Sequence, residues 1–208
     1  PQSSSWHRFD ASAGMPIVAG ARLRTPRSSL CEVETAAHDV IRMNQETEVV
    51  MHKAGQIELI SGELWCSTAA SPQFTILVPG GRPDADTSPA PQGLQQFQCP
   101  SNSETQWSVR DQETRCLSVS ETTTELTMTE LTMTEQKVSD AKTVSPFSCA
   151  VEPGQSLWVV NEERPVATGQ EDRLLAMGWQ LPLLAVRQPD DPELQNRLQS
   201  LLARIGGT

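Results

Sequence analysis

The sequence predicts a mainly β protein: a single domain of short antiparallel strands, arranged as a β-solenoid or jelly-roll-like sandwich, with a C-terminal α-helical extension. Three observations predict it. Residues 55–79 alternate with a two-residue period, so that Ile57, Leu59, then Leu64 or Trp65, then Phe74, Ile76 and Val78 line one face of a pleated strand. Comparable runs of four to seven residues, rich in Val and Ile and bounded by Gly, Pro or a polar pair, recur over most of the chain. After Arg164-Pro165 the period changes to that of a helix.

Taken in order, residues 1–14 are Ser-rich with Trp6 and Phe9 as anchors, a loose lead-in to the domain. Strands are expected at Pro16-Ile-Val-Ala, across Gly20 to Pro26, at Ser28 to Val33, at His38 to Asn44 and at Thr47 to His52. In the central stretch Gly62 permits a chain reversal and Pro72 stops the second run. Residues 80–96, with three Pro and three Gly, form a long surface loop or hinge. Strands resume at Leu94–Cys99, Glu104–Arg110 and Arg115–Val119.

Residues 124–135 duplicate Thr-Glu-Leu-Thr-Met in tandem. The odd-numbered period turns the second copy's apolar residues to the opposite face, so one copy pairs and the other bulges or frays at a hairpin tip. Cys149 to Val160 closes the β region, which spans 15–165, with Pro153-Gly154 as its turn. Over 170–208 a helical extension is expected: 171–185 broken at Pro182, then 191–205. In the latter, Asp191 caps, Leu194, Leu198, Leu201, Leu202 and Ile205 share a face, and Gln195, Asn196 and Gln199 point outward.

The 208 residues carry 16 basic and 26 acidic side chains, a net charge of −10, which argues against nucleic acid and anionic membranes as partners. Only 37% of residues are hydrophobic, and 15 Pro and 12 Gly add many turns, so a thin core is expected. No run of about 18 apolar residues occurs to insert into a membrane. The chain opens at Pro1, which suggests a trimmed chain with an upstream segment missing.

Candidate chemistry is sparse. Cys31, Cys66, Cys99, Cys116 and Cys149 include no C-x-x-C pair and read as buried apolar fillers, with at least one disulfide as the alternative. A Cys–His hydrolase would draw on Cys99 with His7, His38 or His52, but no nucleophile turn surrounds them. Asp84 with Asp86, or Glu162 with Glu163, lack a frame for a metal, so no metal site and no cofactor are expected. Five Trp without Tyr leave two options for the strand residues Trp65, Trp107 and Trp158: core filling, or an outward platform for sugars.

Several segments resemble the FecR-type domain, the periplasmic domain of the ferric-citrate family of anti-sigma regulators, over about residues 18–160. Gly20-Ala-Arg-Leu-Arg-Thr-Pro-Arg-Ser-Ser resembles its opening "G-x-x-L-x-T-x-x-x-S", and Val40 to Thr47 its "v-x-L-x-x-x-T". Ile57-Glu-Leu-Ile-Ser-Gly-Glu-Leu-Trp65 is similar to "L-x-x-G-x-l-w", Phe74 to Pro79 to "F-x-V-x-x-P", and Ala150 to Gln155 to the closing "v-x-x-G-Q". The tail Trp179 to Gly206 is similar to the helical extension of planctomycete-type members. The chain departs from the family pattern at Glu104-Thr-Gln-Trp-Ser-Val, where a Gly-Thr strand is usual, and at Ser118 to the duplicated segment.

The resemblance implies a non-enzymatic signalling domain of the periplasm or cell envelope that works by contact with a protein partner, such as an envelope receptor or a sigma-regulatory component. It also implies a membrane anchor upstream of this chain. An envelope scaffold and a glycan-binding β module are the alternatives. The expected partner surface combines the 80–96 loop with the 120–140 hairpin, through Arg82, Asp84, Asp86, Glu125, Glu130 and Trp107.

Overall fold

The computed structural model describes residues 10–53, 55–69, 74–79, 94–110, 113–132, 142–143, 147–159, 166–170, 176, 178–180, 192, 196 and 199. Two strand sets make two layers that share one strand. The first layer holds β1 (Arg22–Arg24), β4 (Glu48–Lys53), β6 (Phe74–Pro79), β7 (Leu94–Cys99), β10 (Thr124–Thr132), β11 (Lys142–Thr143) and β12 (Phe147–Val151). The second holds β2 (Cys31–Glu34), β3 (Val40–Met43), β8 (Glu104–Arg110), β9 (Glu113–Ser118), β13 (Gln155–Val159) and β14 (Val166–Gln170). The shared strand is β5 (Gln56–Ser67), which belongs to both and joins all the strands into one folded-over, nearly closed sheet.

β5 turns the corner at Gly62. Before it, Ile57 and Leu59 lie opposite Met51 and Val49 of β4; beyond it, Leu64 and Cys66 lie opposite Met43 and Ile41 of β3. Its other edge changes partner too, from β6 to β8. Inward residues shift from odd to even numbers across the glycine, as an inserted residue requires. Gly62 has φ +92°, and a Cβ there would stand 2.5 Å from Thr47 Cα. The reversal expected at Gly62 is therefore a bend inside one 12-residue strand.

This bend explains the exception to antiparallel pairing. Because β5 runs on into the second layer, the chain returns to the first layer beside the start of β5. β6 therefore pairs with it in parallel, Ile57 opposite Ile76, with the Thr75 amide donating to the Gly55 carbonyl at 2.7 Å.

The core lies between the layers. Ile41, Met43, Leu64, Cys66, Trp107, Cys116 and Leu157 from the second face Val49, Ile57, Leu59, Ile76, Phe97 and Leu126 from the first. Phe97 and Trp107 meet across it with ring centroids 4.9 Å apart, a tilted pair. Each such aliphatic side chain contributes about 1.5–3 kcal/mol of burial.

Four sequence expectations change. Pro16-Ile-Val-Ala forms no strand; Ala21 N–H donates to Val18 C=O in a turn, and Val18 is 70% exposed. β10 runs unbroken from Thr124 to Thr132 of the duplication, pairing with β7 from Thr127 to Leu131 and with β12 from Thr124 to Met128. It is an interior strand with Leu126 in the core; it also pairs antiparallel with β11, and residues 133–141 between them, where the hairpin tip is expected, lie outside the described residues. β14, hidden in Val-Ala-Thr-Gly-Gln, extends the β body to Gln170. The last three residues of the expected 80–96 loop belong to β7, and 80–93 lie outside the described residues.

The helical extension is not shown: its described part is a 3-10 turn at Gly178–Gln180, with helical backbone at the isolated positions 176, 192, 196 and 199. Trp6, Phe9, Glu162 and Glu163 also lie outside the described residues. Among those described, no helix is long and apolar enough to cross a membrane.

Candidate functional site

The second layer carries one row of side chains running across its strands on the face away from the core. The register sets Glu32 (β2) beside Arg42 (β3), Arg42 beside Trp65 (β5), Trp65 beside Gln106 (β8), Gln106 beside Leu117 (β9), and Leu117 beside Ser156 (β13). Strand alternation turns all six away from the core. Yet Arg42, Trp65, Gln106, Leu117 and Ser156 are buried.

The cover is supplied in part by the chain around residues 176–180. Trp65, Leu117 and Val119 form a second apolar cluster, with Val40, Ala176 and Trp179 packed on it. The Arg42 guanidinium lies 4.3 Å from the centre of the Trp65 ring. Its Nε donates to Glu32 Oε2 at 2.8 Å and its Nη1 to Gln180 Oε1 at 3.0 Å. Gln106 Nε2 donates to the Ala176 carbonyl at 3.1 Å and also to Glu63 Oε1. Glu63, two residues before Trp65, further accepts from Asn44 Nδ2 at 2.9 Å.

Trp65 Nε1, Trp179 Nε1, Gln106 Oε1 and Gln180 Nε2 are buried and have no hydrogen-bond partner among the described residues. Each such atom costs about 1–3 kcal/mol. Polar contacts thus hold the cover on while leaving several hydrogen bonds unmade among the described residues. A Trp–Arg patch of this kind has the side-chain composition on which protein interfaces concentrate their energy.

The motif segments meet at a different place. Thr25 Oγ1 donates to the Asn44 and Thr47 carbonyls and accepts from the Thr47 amide at 3.0 Å. Thr47 Oγ1 accepts from the Glu63 amide at 3.0 Å and lies 2.9 Å from the Glu63 carbonyl. The threonine of the opening motif, the threonine of the second and the Gly62-Glu63 bend of the third therefore form one buried node. It braces the corner where β5 changes layers.

The expected partner surface does not assemble as one patch. Trp107 is fully buried, and its Nε1 donates to Thr105 Oγ1 at 2.9 Å, so its ring belongs to the core. Glu125 is exposed on β10. Glu130 lies on the same strand with its side chain outside the described residues, as are Arg82, Asp84 and Asp86 altogether. Trp65 and Trp107 sit in different clusters on opposite faces of one layer, so these two do not form a sugar platform. The side chain of Trp158 is not described.

The thiols are all free. A hydrogen bond to Cys66, followed by burial, pushes the Cys99 thiol well above its ordinary range; burial does the same to Cys116. Both are held neutral, the reverse of an activated nucleophile. His38 occupies a left-handed turn position at φ 64° and pairs with Glu34 at 2.9 Å; His52 pairs with Glu58 at 2.7 Å. No group of three metal-ligating side chains occurs among the described residues. Sequence reasoning missed Arg42 and Gln106, which occupy the polar phase of alternating strands.

No protein-family model matches the chain, and no curated protein matches it. Two crystal structures of a candidate anti-sigma factor from Parabacteroides distasonis ATCC 8503, at 1.65 and 2.50 Å, are similar to it. Their TM-scores are 0.48 and 0.47, at 9% and 10% identity, over 77% of this chain and 65% and 64% of theirs. The chain thus spans less than two thirds of the length of these structures.

Proposed function

We propose that this chain is an extracytoplasmic, non-enzymatic signalling domain of the FecR type that acts by binding a protein partner. The observation that carries the reading is the node of Thr25, Thr47 and Gly62-Glu63. Three segments that resemble separate family motifs interlock there in a single fold-determining corner. Those motif residues are spent on architecture, so partner contact falls to the layer edges and outer faces. Glu34 on β2, Arg110 at the end of β8 and Glu125 on β10, all exposed, are the positions that answer to this.

The test is photo-crosslinking in the native cell, with a benzophenone amino acid placed at Glu34, Arg110 or Glu125, all exposed. A discrete crosslinked protein, obtained from some of these positions and lost from others, is the expected result. Uniform absence of crosslinks at all three would overturn the contact mechanism. Location is read separately from an alkaline phosphatase fusion to the full gene product, which is active only outside the cytoplasm; an inactive, fully expressed fusion removes the extracytoplasmic part.

A further inference from the structure

Two of the buried cysteines converge from opposite layers. Cys66 stands near the end of β5 and Cys99 at the end of β7. Cys66 Sγ is 3.0 Å from Thr105 Oγ1, and Cys99 Sγ is 4.0 Å from the same hydroxyl. Both residues lie in the core, at most 1% exposed.

The backbone around them is tightly held. Between β7 and β8 the chain crosses from one layer to the other through a turn at Pro100–Ser103. Thr68, two residues after Cys66, clamps that turn: its amide donates to the Ser103 carbonyl at 2.9 Å, and its Oγ1 accepts from the Ser103 amide at 3.0 Å. Ser103 Oγ closes the turn onto the Pro100 carbonyl at 2.8 Å. Cys66 and Cys99 are thus fixed beside each other by the polar clamp at one end of the sandwich. Cys116 shares the core with them but lies opposite Trp107 on β9 and touches neither Thr105 nor the clamp among the described contacts.

We propose that Cys66 and Cys99 are an oxidation site, joined by a disulfide that staples the two layers when the chain folds in the presence of a disulfide oxidant such as oxidised glutathione. One S–S bond forms between the two sulfurs, and two S–H bonds are lost. The two electrons and two protons pass to the oxidant disulfide, which leaves as two thiols. Exchange takes place while the chain is still open. Once the core has closed, neither sulfur is accessible, so the redox state acquired during folding is retained. The linkage closes a loop of about 33 residues and removes conformational freedom from the unfolded chain. This inference does not depend on the signalling role.

The experiment unfolds the whole chain under reducing conditions and refolds it in a mixture of oxidised and reduced glutathione. Remaining thiols are then alkylated and the unreduced peptides mapped by mass spectrometry. The expected result is a dominant cross-linked pair containing Cys66 and Cys99, with a melting temperature about 5–10 °C above that of the reduced protein. Cys116→Ala should leave the linkage intact, and Cys66→Ala should abolish it without another pair replacing it. Complete alkylation of all five cysteines in the wild-type protein, a different dominant pair, or a Cys66–Cys99 bond that lowers the melting temperature would each overturn the proposal. The wild-type map decides the matter even if a variant fails to fold.

Discussion

The two faces of the second layer make an instructive pair. Toward the core it presents Ile41, Leu64, Cys66, Trp107, Cys116 and Leu157; on the other side it presents Arg42, Trp65, Gln106, Leu117 and Ser156. Both faces are buried, yet they are held by different forces. The inner face rests on area removed from water and on close packing. The outer face rests on a stacked guanidinium, a shielded ion pair and side-chain amides, several with hydrogen bonds unmade among the described residues. Removing a partner on the inner side leaves a cavity, whereas on the outer side it leaves a stranded polar group. The first face suits permanent cohesion and the second suits contacts that can be exchanged.

Substitution at the corner between the layers should break this comparison most severely. Gly62→Val forces a β-branched residue into a positive φ and drives its Cβ into the Thr47 backbone. The expected loss exceeds about 4 kcal/mol and should appear as failure to fold or a collapsed denaturation midpoint. A variant of near-normal stability would mean that β5 does not bend there.

Next in size is Trp107→Ala on the inner face. A cavity beside Phe97 and the loss of the bond to Thr105 should cost about 3–5 kcal/mol in urea titration. On the outer face, Arg42→Met takes the 2.8 Å ion pair from the Glu32 carboxylate and should cost about 2–4 kcal/mol. Arg42→Met combined with Glu32→Met should recover much of that loss. A double variant as unstable as Trp107→Ala would show that the two faces are not held differently.

A smaller effect is expected at Trp179→Ala, which thins the cover over Trp65. It should cost about 1–2 kcal/mol and redden the Trp65 fluorescence. Hydrogen exchange should quicken in β3, β5 and β9 and stay unchanged in β6 and β7. Equal acceleration in both layers would deny the cover its separate standing.

The last effect is one of pH, and its two fully buried thiols belong to the inner face. Cys99 and Cys116 have folded pKa values raised above the ordinary thiol value of 9.0. The unfolded chain therefore loses these protons first. Stability is at its full level below about pH 8 and declines above pH 9, by about 1.4 kcal/mol per unit for each thiol, until the folded pKa is reached. Cys116→Ala should reduce that alkaline slope in urea titrations of the reduced protein, and an unchanged slope would place its origin elsewhere.

Local pattern made much of this layout readable. Val40–Met43, Glu48–Lys53, Phe74–Pro79, Leu94–Cys99 and Glu104–Arg110 all lie where alternation and turn residues set them. Pro153-Gly154 turns the chain as expected, with Gly154 at φ 75°. β14 escaped notice because Val-Ala-Thr-Gly-Gln is too short and too polar to alternate, and only the exposed edge of β13 recruits it. Pro16-Ile-Val-Ala misled in the opposite direction: it has strand composition, and the turn at Val18–Ala21 leaves it exposed without a strand partner.

The candidate site was less legible still. Glu32, Arg42 and Gln106 occupy the polar phase of alternating strands, and that phase means solvent only when nothing lies over it. Here residues 138 and 70 positions later reach back, Gln180 to Arg42 and Ala176 to Gln106. Likewise Cys66 and Cys99 share no spacing signature, and the clamp of Thr68 on Ser103 brings them together.

The order of side chains along this chain was enough to determine strand class, most strand positions and which residues avoid water, because pleat and turn preferences act over a few neighbours. Tertiary structure alone decided that β5 serves both layers, that Trp107 lies inside while Trp65 lies under a cover, and which thiols meet. Those outcomes depend on contacts between distant segments, whose free energy is realised only when the sheet folds over on itself.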